Sequence, residues 1–187
     1  TSLTIETWFK TTAANGIILE MNGNQTPGGD FVPIIGLQSG KIRGEIWNSG
    51  GVITSATYND GNWHHVALAA YGSSGGFKMY IDGALVATSS ISSINNSWAN
   101  YLYVGKGTGD TGRGFIGGSV WQYFTGQIAE TRVWNYGMTA AQISAVYNNA
   151  FYPLQSGLEL YLSYPEGSGT NTANVSNTST HAIVGGA

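Results

Sequence analysis

Residues 60–67 read DGNWHHVA and residues 78–88 read KMYIDGALVAT, and the way these two stretches turn decides the fold. Asp60-Gly61 releases the chain into a run that starts at Trp63, and Asp82-Gly83 sits between two apolar segments. Asp-Gly between apolar segments is the strongest short-range hairpin signal, so strands pair antiparallel near mid-chain. His64 and His65 beside an aspartate invite a metal or a catalytic base. Adjacent strand residues point to opposite faces, however, so the two imidazoles cannot hold one ion together. The structural reading packs Trp63 in the core with His65 hydrogen-bonded beneath it. The third histidine, His181, lies far off in a polar segment.

Outward from that centre the pattern stays strand-like. In residues 2–10, Leu3, Ile5 and Phe9 share one face and Glu6 and Trp8 the other, as expected of a central strand. Asn15-Gly16 turns the chain into Ile17-Ile18-Leu19, residues 22–30 form a polar loop, and Phe31–Gln38 is a strand. Residues 41–47 alternate, with Ile42 and Ile46 inward and Lys41, Arg43, Glu45 and Trp47 on the other face. Val66, Leu68 and Ala70 give one apolar side, and Phe77, Met79 and Ile81 another. Residues 88–100 form a loop in which Trp98 is a packing residue, and Tyr101 and Tyr103 share a face of the next strand.

Late in the chain, residues 105–119, GKGTGDTGRGFIGGS, superficially resemble a phosphate loop. No suitably spaced lysine and no strand-to-helix transition accompany them, so they read as a rim loop. Residues 124–135 are a strand with Thr131 and Val133 on one face and Ile128, Glu130, Arg132 and Trp134 on the other. Thr139 and Gln142 form a capping box for one short helix near 139–148. Leu158–Leu162 alternate again, and a last short strand is expected around Ala182–Val184.

Composition agrees with this pattern. Of 187 residues only 9% are charged, 28 are glycine and 12% are aromatic, a strand-and-turn composition too aromatic for disorder. Without cysteine there is no disulfide framework and no thiol chemistry. A net charge of −3 lacks the basic footprint of a nucleic-acid binder. No apolar run approaches the roughly 18 residues of a membrane span, so no membrane insertion is expected. Low Lys and Glu with abundant Asn, Thr and Gly points to a secreted or cell-surface location. The abrupt start in a strand-like run suggests a piece of a larger exported protein.

SLTIETWFK (2–10), DGNWHHVA (60–67), KMYIDGALVAT (78–88), YLYVGKG (101–107) and FTGQIAETRVWN with MTAAQISAVYNN (124–149) together resemble a bacterial laminin G-like, concanavalin A-like jelly roll. The resemblance implies an all-β, two-sheet antiparallel sandwich of about six strands per sheet. It also implies non-catalytic binding or adhesion, frequent calcium, and modular extracellular proteins. In such domains a segment like residues 157–187 usually precedes the strand found here at 2–10, so the tail is either permuted or part of a following repeat. With every residue to 187 included, a single domain over 1–187 is the expectation. Where the family pattern has an aspartate this chain has Ala129, which puts a metal role at that strand in doubt.

Related folds include glucanases, which place two carboxylates about 5–5.5 Å apart for retention or about 6.5–9.5 Å for inversion. None of the ten acidic residues lies two or four positions from another, so the chain reads as non-enzymatic. The leading reading is a glycan- or polysaccharide-binding module, with aromatic rings stacking on sugars and polar side chains reading hydroxyls. Trp121, Tyr123, Arg113 and Asp110 are the candidate ligand patch, with Trp47 next. Asp30 and Asp110, in glycine-rich loops whose carbonyls can turn inward, are the candidate calcium ligands. The alternative is a structural or protein-binding adhesion domain whose aromatics pack against neighbouring domains of the same protein.

Overall fold

The computed structural model describes residues 2–46, 51–72, 75–91, 97–111, 120–149 and 156–164. Two antiparallel sheets face each other. One contains β1 (Ser2–Lys10), β6 (Trp63–Tyr71), β7 (Phe77–Ile81), β8 (Ala84–Ser89), β12 (Gln127–Trp134) and β13 (Leu158–Leu162), in the order β13-β12-β1-β6-β7-β8. The other contains β2 (Gly16–Asn22), β3 (Phe31–Gln38), β4 (Lys41–Gly44), β5 (Val52–Thr57) and β9 (Tyr101–Val104), in the order β5-β4-β3-β2-β9. A hairpin of β10 (Lys106–Thr108) and β11 (Trp121–Tyr123) packs against β2, and one helix, α1 (Ala140–Asn148), completes the described elements.

The alternation read from the sequence places the core. Ile5 and Phe9 of β1, Ile18 of β2, Val32 of β3, Leu68 of β6 and Met79 of β7 are all fully buried between the sheets. Each such side chain contributes about 1.5–3 kcal/mol by leaving water. The other face of the six-stranded sheet carries a second cluster, in which Ile143 and Val146 of α1 cover Ala67, Ala69, Tyr80 and Trp134. The helix starts as expected: the Thr139 hydroxyl accepts the Gln142 N–H, while the Gln142 side chain accepts the Thr139 N–H.

The Asp82-Gly83 turn joins β7 to β8 with φ of 51° and 78°, the two left-handed residues that a tight hairpin needs. Residues 157–163 enter the same sheet as residues 2–10, since β13 pairs with β12 and β12 with β1. The expected strand around Ala182–Val184 lies outside the described residues.

Several expectations are corrected. Trp63 is not a core residue but 41% exposed, because it opposes Lys10 at the end of β6 rather than a partner in mid-sheet. Among the described residues the second sheet has five strands, against the expected about six. The strand expected over 41–47 ends at Gly44, although Ile46 is buried as expected. Within the glycine-rich run 105–119, expected as a loop, Lys106–Thr108 form β10, and residues 112–119 lie outside the described residues. In β12 the expected face assignment fails at Ile128, because Glu130, with a φ of 55°, marks a bulge. The extra residue there reverses the alternation, so Ile128 joins Val133 against the inter-sheet core while Arg132 and Trp134 face outward. Thr7 stabilises the bulge by donating to the Ala129 carbonyl at 3.1 Å and meeting the Thr131 hydroxyl at 2.8 Å.

Candidate functional site

The aromatic patch forms where β9, β10 and β11 meet. Tyr101 and Tyr103 alternate along β9 and stack at 6.4 Å between centroids. Trp121 meets the Tyr103 ring edge-on at 4.9 Å. The Lys106 ammonium lies 4.6 Å from the Trp121 centroid and 5.0 Å from that of Tyr103, close enough for attraction to both ring quadrupoles. Trp121 and Tyr123 occupy alternate positions of β11 and so share a side of the hairpin, Trp121 half-buried and Tyr123 exposed. The Tyr103 hydroxyl donates to the Asn24 carbonyl at 3.1 Å, tying the ring to the loop after β2.

Beneath the hairpin lies a buried polar cluster. The Glu20 carboxylate accepts the Thr108 N–H at 2.5 Å, the Thr108 hydroxyl at 3.2 Å and the Asn22 amide at 2.9 Å. Burial holds the Glu20 carboxyl above the usual carboxylate range, against the opposing pull of Asn22, Thr108 and Lys106. Burial raises the Tyr103 hydroxyl, and the nearby Glu20 and Tyr101 add to this.

Of the residues singled out in the sequence, the structure brings Trp121 and Tyr123 together on one strand. Asp110 follows β10 by two residues and is half-buried. Asp30 is exposed and closes its loop by accepting the Gly23 N–H through its backbone carbonyl at 2.8 Å. That loop touches β10, since the Gly28 N–H donates to the Thr108 hydroxyl at 3.4 Å. Arg113 and Trp47 lie outside the described residues. Tyr103, Lys106 and Glu20 were not read as site residues. The shared face of Tyr101 and Tyr103 is the one sequence signal that pointed toward them.

A second charged cluster sits on the outer face of the six-stranded sheet. Glu6 contacts His65 Nε2 at 2.5 Å and Arg132 at 3.0 Å, and Arg132 also donates to Glu130 at 2.7 Å. His64 points the other way, between Asp82 at 2.8 Å and Asp60 at 3.1 Å. The two imidazoles thus serve different partners, as their alternation required. Among the described residues no three His, Asp or Glu side chains gather to hold a metal ion, and no helix is long and apolar enough to cross a membrane.

A two-sheet antiparallel sandwich with one short helix defines a concanavalin A-like jelly roll. The chain belongs to the concanavalin A-like lectin/glucanases superfamily, whose laminin G sequence profile matches residues 1–144. A stretch of 101 residues, 53% of the chain, is 27% identical to the Sushi, von Willebrand factor type A, EGF and pentraxin domain-containing protein 1 of Rattus norvegicus, of which it spans 3%. The fold is similar to that of a candidate carbohydrate-binding protein from Bacteroides ovatus, with TM-score 0.68 and 18% identity over 93% of this chain and 49% of that one. It is also similar to the CBM40 module of a Ruminococcus gnavus sialidase, with TM-score 0.53 and 16% identity over 78% of this chain and 82% of that one.

Proposed function

We propose that this chain is a non-catalytic glycan-binding module of a larger secreted or cell-surface bacterial protein. The observation that carries the reading is the half-buried Trp121 and exposed Tyr123 on one side of a hairpin, beside Tyr103 and Lys106. Rings fixed by their neighbours offer apolar faces to sugar rings at little entropic cost, and Lys106 and Asp110 supply polar contacts beside them. Two relatives in fold support the class: the Bacteroides protein is a candidate carbohydrate-binding protein, and the Ruminococcus module is bound to α2,3 sialyllactose. A glycosidase would present two carboxylates to an open cleft. Glu6 and Glu130 share Arg132, but Glu6 is fully buried, which favours binding over hydrolysis.

The test is a glycan array with cellulose, chitin and xylan pull-downs, followed by Trp121→Ala. The variant should weaken binding about tenfold, equivalent to about 1.4 kcal/mol, with the melting temperature kept. Unchanged affinity in a folded variant places the site elsewhere, Trp47 being the next candidate.

A second reading, an adhesion domain packed against neighbouring modules, is favoured by the sandwich edge. Leu85 and Val86 on edge strand β8, and Ile53 on the adjacent edge strand β5, are 51%, 37% and 42% exposed. For calcium, we propose Asp30 and Asp110 as the carboxylates, on segments linked through Gly28 and Thr108. Loop carbonyls would have to complete the six to eight oxygens calcium takes.

A further inference from the structure

We propose that Glu20 is the positioning residue of the aromatic patch, its carboxylate fixing the β10–β11 hairpin against β2 so that Trp121 and Tyr103 meet. The proposal rests on the glycan-binding reading of that patch. Glu20 is the strand partner of Tyr103, and Thr108, which gives Glu20 both its N–H and its hydroxyl, is the strand partner of Trp121. One buried carboxylate therefore sets the register of both rings, although 88 residues separate it from Thr108. The third donor, Asn22, extends the same network. Its side-chain oxygen accepts the Asn24 N–H at 2.7 Å, and the Asn24 carbonyl accepts the Tyr103 hydroxyl.

The backbone is shaped to this contact. A Cβ on Gly107 would lie 2.7 Å from Glu20 Oε2 and 2.6 Å from Ile17 Cγ2, so β10 reaches the carboxylate only because residue 107 has no side chain. An apolar residue at position 20 would fill the volume without burying a charge. What the carboxylate adds is direction, since two oxygens bind three donors on two elements. Lys106 from β10 and Tyr103 from β9 are the titratable groups whose charges act on or respond to it.

The experiment compares Glu20→Ala, Glu20→Gln and Thr108→Val in the full chain with two readouts. Amide hydrogen exchange reads the hairpin without any ligand. In Glu20→Ala the amides of 106–108 and 121–123 should exchange about tenfold faster while those of β1 and β6 hold their rates. Glu20→Gln, which keeps an acceptor for the Thr108 N–H, should restore most of the protection, while Thr108→Val, which keeps the volume of Thr108 without its hydroxyl, should lose part of it, a loss that simple space-filling would not produce. Calorimetry with cello-, chito- and xylo-oligosaccharides and α2,3 sialyllactose reads binding. There Glu20→Ala should lose about tenfold in affinity and Glu20→Gln no more than about threefold. If Glu20→Ala does not fold, Thr108→Val carries the comparison, because it removes the hydroxyl and keeps the N–H. Unchanged hairpin exchange in the folded variants overturns the proposal, as does a loosened hairpin with unaltered affinity. Loosening in a chain whose wild type binds none of the probes supports the positioning of the rings and overturns the glycan reading.

Discussion

Glu6 Oε2 lies 2.5 Å from His65 Nε2 with neither side chain exposed, and the other Glu6 oxygen accepts from Arg132 Nη1 at 3.0 Å. A buried carboxylate is thus shared between an imidazole and a guanidinium on the two strands flanking β1. Burial alone would lower the Arg132 value, but the Glu6 charge and hydrogen bond more than offset it and hold the guanidinium charged. The Arg132 guanidinium also lies 4.3 Å from the centroid of the Tyr161 ring, whose hydroxyl donates to Glu130.

Glu6→Ala should therefore be among the most damaging single changes. It takes a fully buried carboxylate away from a buried guanidinium and a buried imidazole, and breaking such a pair costs about 3–5 kcal/mol. Urea unfolding checks this: a loss below about 1 kcal/mol would mean that Arg132 and His65 are held well enough without Glu6.

His64 gives the protein a pH dependence whose sign is fixed by its neighbours. Burial opposes the charged imidazole, yet the hydrogen bonds and charges of Asp82 and Asp60 raise its value above the ordinary 6.5. The contribution of His64 is then fully present below 6.5 and is lost as pH rises through the higher folded value. Asp60 behaves oppositely. The Asn62 N–H, the Asn62 side chain and His64 hold it down to about 2, so its contribution is present above 3.8 and is lost as pH falls toward about 2. Melting temperature followed between about pH 5 and 9 should fall on the alkaline side in wild type and much less in His64→Gln. Parallel curves for the two proteins would dissociate the effect from His64.

The tail strand is predicted to be indispensable. Leu158, Leu160 and Leu162 of β13 are buried, and β13 covers the free edge of β12. Deleting residues 157–187 removes those side chains and exposes a strand edge, which invites aggregation. A soluble, cooperatively melting truncation would show that the sandwich closes without the tail.

Calcium is checked by chelation. A ligand bound only by the folded state raises stability with its concentration. If Asp30 and Asp110 hold calcium, EDTA should lower the melting temperature, and Asp110→Asn should remove the response. Identical melts with EDTA and with millimolar calcium would remove the metal from the site.

The parts of this fold legible in the sequence are those governed by local rules. The Asp82-Gly83 hairpin, the alternation of Leu3, Ile5 and Phe9, and the Thr139–Gln142 capping box each follow from neighbouring residues alone, and each matches the structure. Strands β10 and β11 were not separable, because three residues are too short to show a period of two and glycine hides the pattern. The β12 bulge escaped because one left-handed residue at Glu130 inverts every following side chain without changing composition. Trp63 misled because a large aromatic is usually buried, whereas strand-end position outweighed residue type here. Half of the candidate site, Trp121 with Tyr123, was visible as an i, i+2 pair. Its supports, Glu20 and Tyr103, come from distant strands, and sequence spacing carries no information on such contacts.

Gly107 offers the sharpest packing test of how the hairpin sits on the sheet. Its backbone lies between Ile17 and Glu20, and an added Cβ would approach Ile17 Cγ2 to 2.6 Å and the Glu20 Cβ to 3.0 Å. Ile17 is 1% exposed and Glu20 is fully buried, so neither can swing away into solvent. Gly107 is not among the glycines with positive φ, so the cost of Gly107→Ala comes from crowding and not from backbone strain. Overpacking of this kind costs about 1–3 kcal/mol. Since among the described residues the hairpin packs mainly on β2, β3 and β9, the strain should be relieved by lifting β10 rather than by opening the core. Hydrogen exchange should therefore accelerate at residues 106–108 and 121–123, with β1, β6 and β7 little changed. Accelerated exchange across both sheets would instead mean that the hairpin and the sandwich unfold as one unit.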